Sequence, residues 1–248
     1  AQKQRTTSTS TDVQAPSITP SRPLGIPRHP NTHELFAKLI AICVPSADST
    51  VTYSAWSPVA EQAINAIQVL ADNPDELFED IIKRLHQQTF TTSALISSEQ
   101  LAKLLFIAGH VALKTLVHID LLQRHLTAVA KQRVIAQSAA SSSSKSKKGS
   151  TKKEEVDRND TGDAGPMEDT VGEALQSAAE SDLLRTGTNL LSTYTKLIVA
   201  VCSNTGGHFN APNLRAAAVL ALCKYLIVGG PDFCNDHISL LITVLEMA

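Results

Sequence analysis

The chain has 248 residues, 22 Lys plus Arg against 24 Asp plus Glu, a formal charge of -2, 43% hydrophobic and only 4% aromatic residues. This composition excludes a collagen-like, disulfide-stapled or generally disordered chain, and the near-neutral balance excludes a uniformly basic nucleic-acid module. Leu, Ala, Ile and Val supply the apolar content, which suits close helix packing better than a β-sandwich core and predicts an all-α protein.

Residues 1–30 are rich in Ser, Thr, Gln and Pro without apolar periodicity and read as a disordered tail. From Asn31, Leu35, Phe36, Leu39, Ile40 and Val44 recur at helical spacing until Pro45 stops the run. Ser57 then reads as a cap and Pro58 as the first residue of a second helix, with an apolar stripe of Val59, Ala63, Ala66, Ile67 and Leu70. A third helix opens at Pro74, with acids Asp75, Glu76, Glu79 and Asp80 early and Lys83, Arg84 and His86 towards its end, as the helix dipole favours. Ser98 and Glu99 lead into a segment that is apolar nearly all round, which predicts a helix buried between neighbours, and Asp120 reads as the restart of a more basic one. Residues 138–180 pass from a Ser and Lys block to an acidic block and predict a disordered charged insertion. Helical periodicity resumes over 181–248, so residues 31–137 and 181–248 are the two helical blocks.

The sequence from Pro58 through Asn73-Pro74-Asp75 is echoed from Pro212 through Gly230-Pro231-Asp232, each reading as helix, Pro-Asp turn, helix. A pair of this kind cannot bury its apolar face alone, so the expected architecture is a HEAT-repeat α-solenoid, a right-handed superhelix of antiparallel helix pairs. The chain stops inside an apolar helical pattern, which predicts a piece of a longer solenoid. Cys43, Cys202, Cys223 and Cys234 lack C-x-x-C spacing and read as small buried groups in a reducing compartment. With no secretory apolar region and no stretch of about 18 uninterrupted apolar residues, the expectation is a chain that is neither secreted nor membrane-bound.

P-loop, dinucleotide, zinc-protease and nucleophile-elbow motifs do not occur, so no enzymatic role, cofactor or metal is expected. His110, His118 and His125 are spaced too widely along one helix to share an ion. Charge is segregated: +3 over residues 1–30, -5 over 31–97, +3 over 98–137, -3 over 138–180 and zero over 181–248. Lys103, Lys114, Arg124, Lys131 and Arg133, extended by Lys145 to Lys153, therefore form the candidate surface for the phosphate backbone of double-stranded DNA, with Arg124 and Lys131 aligned at a seven-residue interval. Thr19-Pro20 is the candidate phosphorylation site.

Three strings carry a resemblance to a known family: LLFIAGHVALKTLVHIDLL at 104–122, AEQAINAIQVLADNPDELFEDIIKRL at 60–85, and the run from Ala211 through Phe233-Cys234 to LLITVLE. They resemble the condensin complex subunit 1 family, the HEAT-repeat regulatory subunits of condensin I. The resemblance implies a non-catalytic scaffold in mitotic chromosome condensation, in the nucleus and on chromosomes with a cytoplasmic pool. Its implied partners are the kleisin subunit, the structural-maintenance-of-chromosomes ATPases reached through the kleisin, and DNA or chromatin. It assigns no kleisin-binding residue. The HEAT subunit of condensin II, or another chromosomal or adaptor HEAT scaffold, is the second reading.

Overall fold

The computed structural model describes residues 27–46, 49–91, 96–143, 165–177, 183–185 and 189–246. Among them every regular element is helical: α1 Glu34–Cys43, α2 Tyr53–Leu70, α3 Pro74–Phe90, α4 Ser98–Ser143, α5 Gly165–Ser177, α6 Leu183–Arg185, α7 Leu190–Ser203, α8 Pro212–Val228 and α9 Gly230–Glu246. The all-α expectation holds.

Local chemistry explains most of the boundaries. The His33 side chain accepts from Leu35 N at 3.2 Å to cap α1, and Pro74 and Pro212 occupy first-turn positions where a missing N–H costs nothing. Asn189 caps α7 through Leu191 N at 3.2 Å, and Asn204 ends that helix in the left-handed region with φ 41°. The α8–α9 corner turns on Gly230, whose φ of 72° suits a residue without a Cβ.

Several expectations need correction. Helix α2 begins at Tyr53, not at Pro58, so the buried stripe is Tyr53, Trp56, Ala60, Ala63, Ile64 and Ile67, and Val59 is exposed. The early start is held from outside: Trp56 Nε1 donates to Ile42 O at 2.8 Å and Glu99 accepts from Tyr53 N at 3.0 Å. Helix α3 continues to Phe90, which leaves Lys83 and Arg84 in mid-helix, paired with Glu79 and Asp80 one turn back. Helix α4 is continuous from Ser98 to Ser143. Asp120 does not cap a new helix; its carboxylate takes Arg124 four residues on.

The supposed insertion is also more helical than its composition suggests. Helix α4 runs into it as far as Ser143, and α5 lies within it. Helix α5 packs on α4, with Leu175 against the core, because GPMEDTVGEALQS places its few apolar residues one turn apart after an acidic start. Residues 144–164 and 178–180 of that segment and most of the expected tail, Thr19 included, lie outside the described residues. The end of the tail is docked: His29 exchanges backbone hydrogen bonds with Leu70 and Asp72, and Asn31 reaches Asn73 and Glu76.

The main packing unit is a row of three helices running the same way. Glu99, near the start of α4, touches Tyr53 of α2 and Asn213 of α8; further along, His110 meets Glu61 of α2 and Lys224 of α8. Helices α2, α4 and α8 are therefore parallel neighbours with α4 in the middle. A second set flanks them. The end of α1 packs on the start of α2 through Ile42 and Trp56, and the start of α7 receives the Tyr225 hydroxyl of α8 at Leu191 O, 3.0 Å. Helix α3 packs on α4 and reaches α7 through the Tyr194 hydroxyl and His86, 3.2 Å. Helices α4 and α8 are the most extensively packed pair among the described elements. Helix α4 is long and apolar enough over Ser98–Arg133 to cross a membrane by length and composition, but its apolar side chains from Leu101 to Ala112 are spent on this core.

Candidate functional site

Helix α4 carries Lys103, Lys114, Arg124, Lys131 and Arg133, and the fold divides them, while Lys145 to Lys153 lie outside the described residues. Its first half is surrounded. At Gly109 the α8 backbone comes so close that a Cβ there would lie 3.0 Å from the Ala221 Cα. Buried Ala217, Ala218 and Ala221 on α8 permit that approach.

Lys103 sits in this half and is only 7% exposed. Its ammonium donates to Val51 O at 3.3 Å and lies 5.8 Å from the Trp56 ring centroid, and burial lowers its pKa although Glu99 pulls it back up. Lys103 is thus a packing residue that ties α4 to the start of α2, not part of a DNA surface. The reason is register: it falls where α4 has neighbours on all sides. Lys114 is half-buried, and its charge acts on Lys224.

Around His110 lies a polar seam that sequence reading missed. The His110 Nδ1 is 3.1 Å from Phe106 O, Nε2 is 3.5 Å from a Glu61 carboxylate oxygen, and the Lys224 ammonium is 2.6 and 2.9 Å from the two ring nitrogens. That ammonium also lies 5.3 Å from the Phe106 ring centroid. Burial and then the Lys224 charge lower the His110 pKa, which favours the neutral imidazole, one ring nitrogen donating and the other accepting. Burial pushes Lys224 down to about 8, Glu61 opposing and Lys114 assisting. Neither Glu61 nor Lys224 belongs to a motif, and the sequence separation of 114 from His110 to Lys224 hides their pairing from any local pattern.

A second bridge is built on Glu99. One carboxylate oxygen accepts from Tyr53 N at 3.0 Å, where it caps α2, and the other accepts from Asn213 Nδ2 at 3.1 Å on the first turn of α8. Read from sequence, Glu99 is an ordinary helix-start acid; in the fold one side chain pins three helix starts together.

The second half of α4 emerges from this packing. Arg124 is 74% exposed, but its guanidinium is held by both Asp120 oxygens, at 2.8 and 3.1 Å, so much of its charge is already matched. Lys131 and Arg133 are exposed. Of the predicted set, the structure thus leaves Lys131 and Arg133 at the surface of the projecting part of α4, Arg124 beside them with its own partner, Lys114 at the edge and Lys103 inside. Among the described residues no group of three or more His, Cys, Asp or Glu is placed to hold a metal ion. An open groove of about 590 Å3 runs between α1 and α3, with Ile40 and Val44 on one wall and Arg84, Gln87 and Gln88 on the other.

No family model matches the chain. It is 32% identical over 245 residues to condensin complex subunit 1 of Schizosaccharomyces pombe, which covers 88% of this chain and 20% of that protein. It is 30% identical over 240 residues to the Homo sapiens protein of the same name, covering 88% of this chain and 16% of the other. It is 26% identical over 209 residues to the condensin-1 complex subunit CAP-D2 of Arabidopsis thaliana, covering 76% and 15%. The chain spans a fifth or less of the length of these relatives. Similarity of this extent in fungi, animals and a plant makes the chain, over most of its length, a homologue of condensin complex subunit 1.

Proposed function

We propose that this chain is a HEAT-repeat scaffold segment of a condensin, without catalytic activity of its own, acting on chromosomes in the nucleus and drawn from a cytoplasmic pool. The observation that carries the reading is the row of α2, α4 and α8, each flanked by a helix of a second layer, in a chain homologous to condensin complex subunit 1. Stacked hairpins of this type extend one core by repetition and present long surfaces to extended partners. The interior charged groups support a scaffold, because Glu99, Lys103, His110 and Lys224 are engaged with one another or with backbone between helices. The expected partners are the kleisin subunit, the condensin ATPases through it, and duplex DNA.

The DNA contact rests on Lys131 and Arg133, which are exposed, together with Arg124, whose guanidinium Asp120 also holds. Salt titration of duplex binding by this chain and by the Lys131→Glu, Arg133→Glu variant tests it, since each lost phosphate contact lowers the slope of log affinity against log salt by roughly 0.9. Equal slopes would remove the contact. For the scaffold role, the full-length protein with and without this segment is captured from mitotic extract and probed for the kleisin and the ATPases. Loss of the kleisin on deletion supports the reading; undiminished capture by a folded deletion protein overturns it. Capture of the condensin II kleisin instead would favour the second reading.

A further inference from the structure

We propose that the projecting part of α4 is a docking face for one amphipathic helix of a protein partner, a helix whose apolar side is interrupted by acidic residues. The proposal deepens the scaffold reading, on which it rests, by naming the kind of segment bound, and it shares Arg124 and Lys131 with the proposed DNA contact. It starts from which residues of α4 meet water. Val117, Leu121, Arg124, Ala128, Lys131 and Ile135 are all exposed, and they follow one another at alternating intervals of four and three residues. On an α-helix those positions form one continuous line, roughly 27 Å long at 1.5 Å per residue. The opposite side of the helix is the one that packs. Buried Ile119 lies roughly 200° round the helix from Val117, and Leu122, Leu126 and Val129 on its side are half-buried.

A helix face turned away from its own core is ordinarily polar. This one is not: Val117 is 43% exposed, Leu121 40% and Ile135 66%. The spacing is that of the a and d positions of a coiled coil, where side chains of a second helix fit as knobs between those of the first. The cations on the line decide the occupant. Arg124 and Lys131 are seven residues apart, so a helix lying along the line meets both, and carboxylates at the same interval would match them. Arg124 already takes a carboxylate from Asp120 one turn back, which shows the pairing its position allows. A second copy of this chain would bring its own Arg124 and Lys131 to the line and no acid. Duplex DNA would use the cations but gain nothing from Leu121 and Ile135, and Arg133, roughly 200° from Lys131, lies off the line.

The test is fluorescence anisotropy of the full chain with two labelled synthetic helices of three heptads. Both carry Leu at a and d except at two d positions one heptad apart, which are Glu in one peptide and Lys in the other. The Glu peptide should bind wild type about tenfold or more tighter than the Lys peptide. Leu121→Gln with Ile135→Gln should weaken the Glu peptide by about tenfold or more, and Arg124→Glu with Lys131→Glu should reverse the order of the two peptides. A fluorescent duplex titrated in parallel separates this face from the DNA contact: Arg133→Glu should lower the salt slope for the duplex and leave the peptide unmoved, and the glutamine pair should do the opposite. Circular dichroism checks that each variant keeps its helix content. Failure of the Glu peptide to bind, equal binding of the two peptides, or indifference to the glutamine pair overturns the docking face, whatever the duplex does. A dimer of the chain in sedimentation that the glutamine pair abolishes would make a second copy the occupant and overturn it equally. Loss of duplex binding on charge reversal, with neither peptide bound, leaves the DNA contact standing and the docking face refuted.

Discussion

Replacing Gly109 with Ala tests the central contact of the fold because two effects of known size oppose each other there. In the middle of a helix, Gly to Ala is worth about 1 kcal/mol in favour of Ala. Against that, the new methyl would lie 3.0 Å from the Ala221 Cα, 3.2 Å from its Cβ and 3.4 Å from the Lys224 Cδ. Lysine can swing away, but the backbone carbon cannot, so α4 and α8 must separate by a few tenths of an ångström along their most extensive interface. Overpacking of this kind costs about 1–3 kcal/mol. The net expectation is destabilisation of up to about 2 kcal/mol, seen as a lower urea midpoint with an unchanged slope, followed by circular dichroism. Ala221→Gly in the same chain removes the 3.2 Å clash but not the 3.0 Å one, so it should restore only part of the loss. Stabilisation of the single variant by the full 1 kcal/mol would show that the two helices do not meet as tightly as described, and the parallel row would lose its anchor.

Truncation of Glu99 to Ala removes the cap on Tyr53 N and the bond to Asn213 at once, for an expected loss of about 2 kcal/mol, whereas the distant exposed pair Lys83–Glu79 should be worth less than about 0.5 kcal/mol. Lys224 is pushed down to about 8, while an unfolded lysine holds its proton to about 10.4, so between these values the unfolded chain binds more protons and this group's contribution to stability rises with pH. The stability advantage of Lys224→Met should accordingly be greatest below pH 8 and shrink by about 1–2 kcal/mol towards pH 10; an advantage independent of pH would refute the buried-ammonium account. Cys43 and Cys202 are buried, and burial pushes both thiols up to about 12, so a thiol reagent at neutral pH should label the half-buried Cys223 and Cys234 well before them, as peptide mapping would show.

The helices were legible because period 3.6 is a local property, and the segments that show it most strongly, 34–43 and 74–90, are helical throughout. What sequence could not supply were boundaries set from a distance. Pro58 has the form of a helix start, yet Trp56 and Tyr53 find partners on α1 and α4, and those bonds recruit another turn and a half of α2 ahead of the proline. The charge count correctly marked residues 98–137 as basic, but a count has no face. Whether a lysine on α4 meets water or tryptophan depends on where the start of α2 packs, some fifty residues earlier in the chain.

Helix α4 accordingly obeys two rules along one continuous backbone. Up to Ala112 it has α2, α3, α7 and α8 around it, so it must be apolar nearly everywhere, and its few polar groups must be paired: Glu99 with two amide donors, Lys103 with a carbonyl, His110 with Phe106 O and Lys224. Past Ile119 none of its described side chains is buried, and the same helix can carry Arg124, Lys131 and Arg133 in water at no burial cost. A rigid helix rooted in a core, with its charges paired inside and exposed where it protrudes, transmits any load on its exposed end directly to the α4–α8 contact at Gly109. A partner engaging the projecting end of α4 therefore acts on the same interface that the Gly109 substitution loosens, and a loosened interface should weaken that engagement even though Gly109 lies outside the surface the partner would touch.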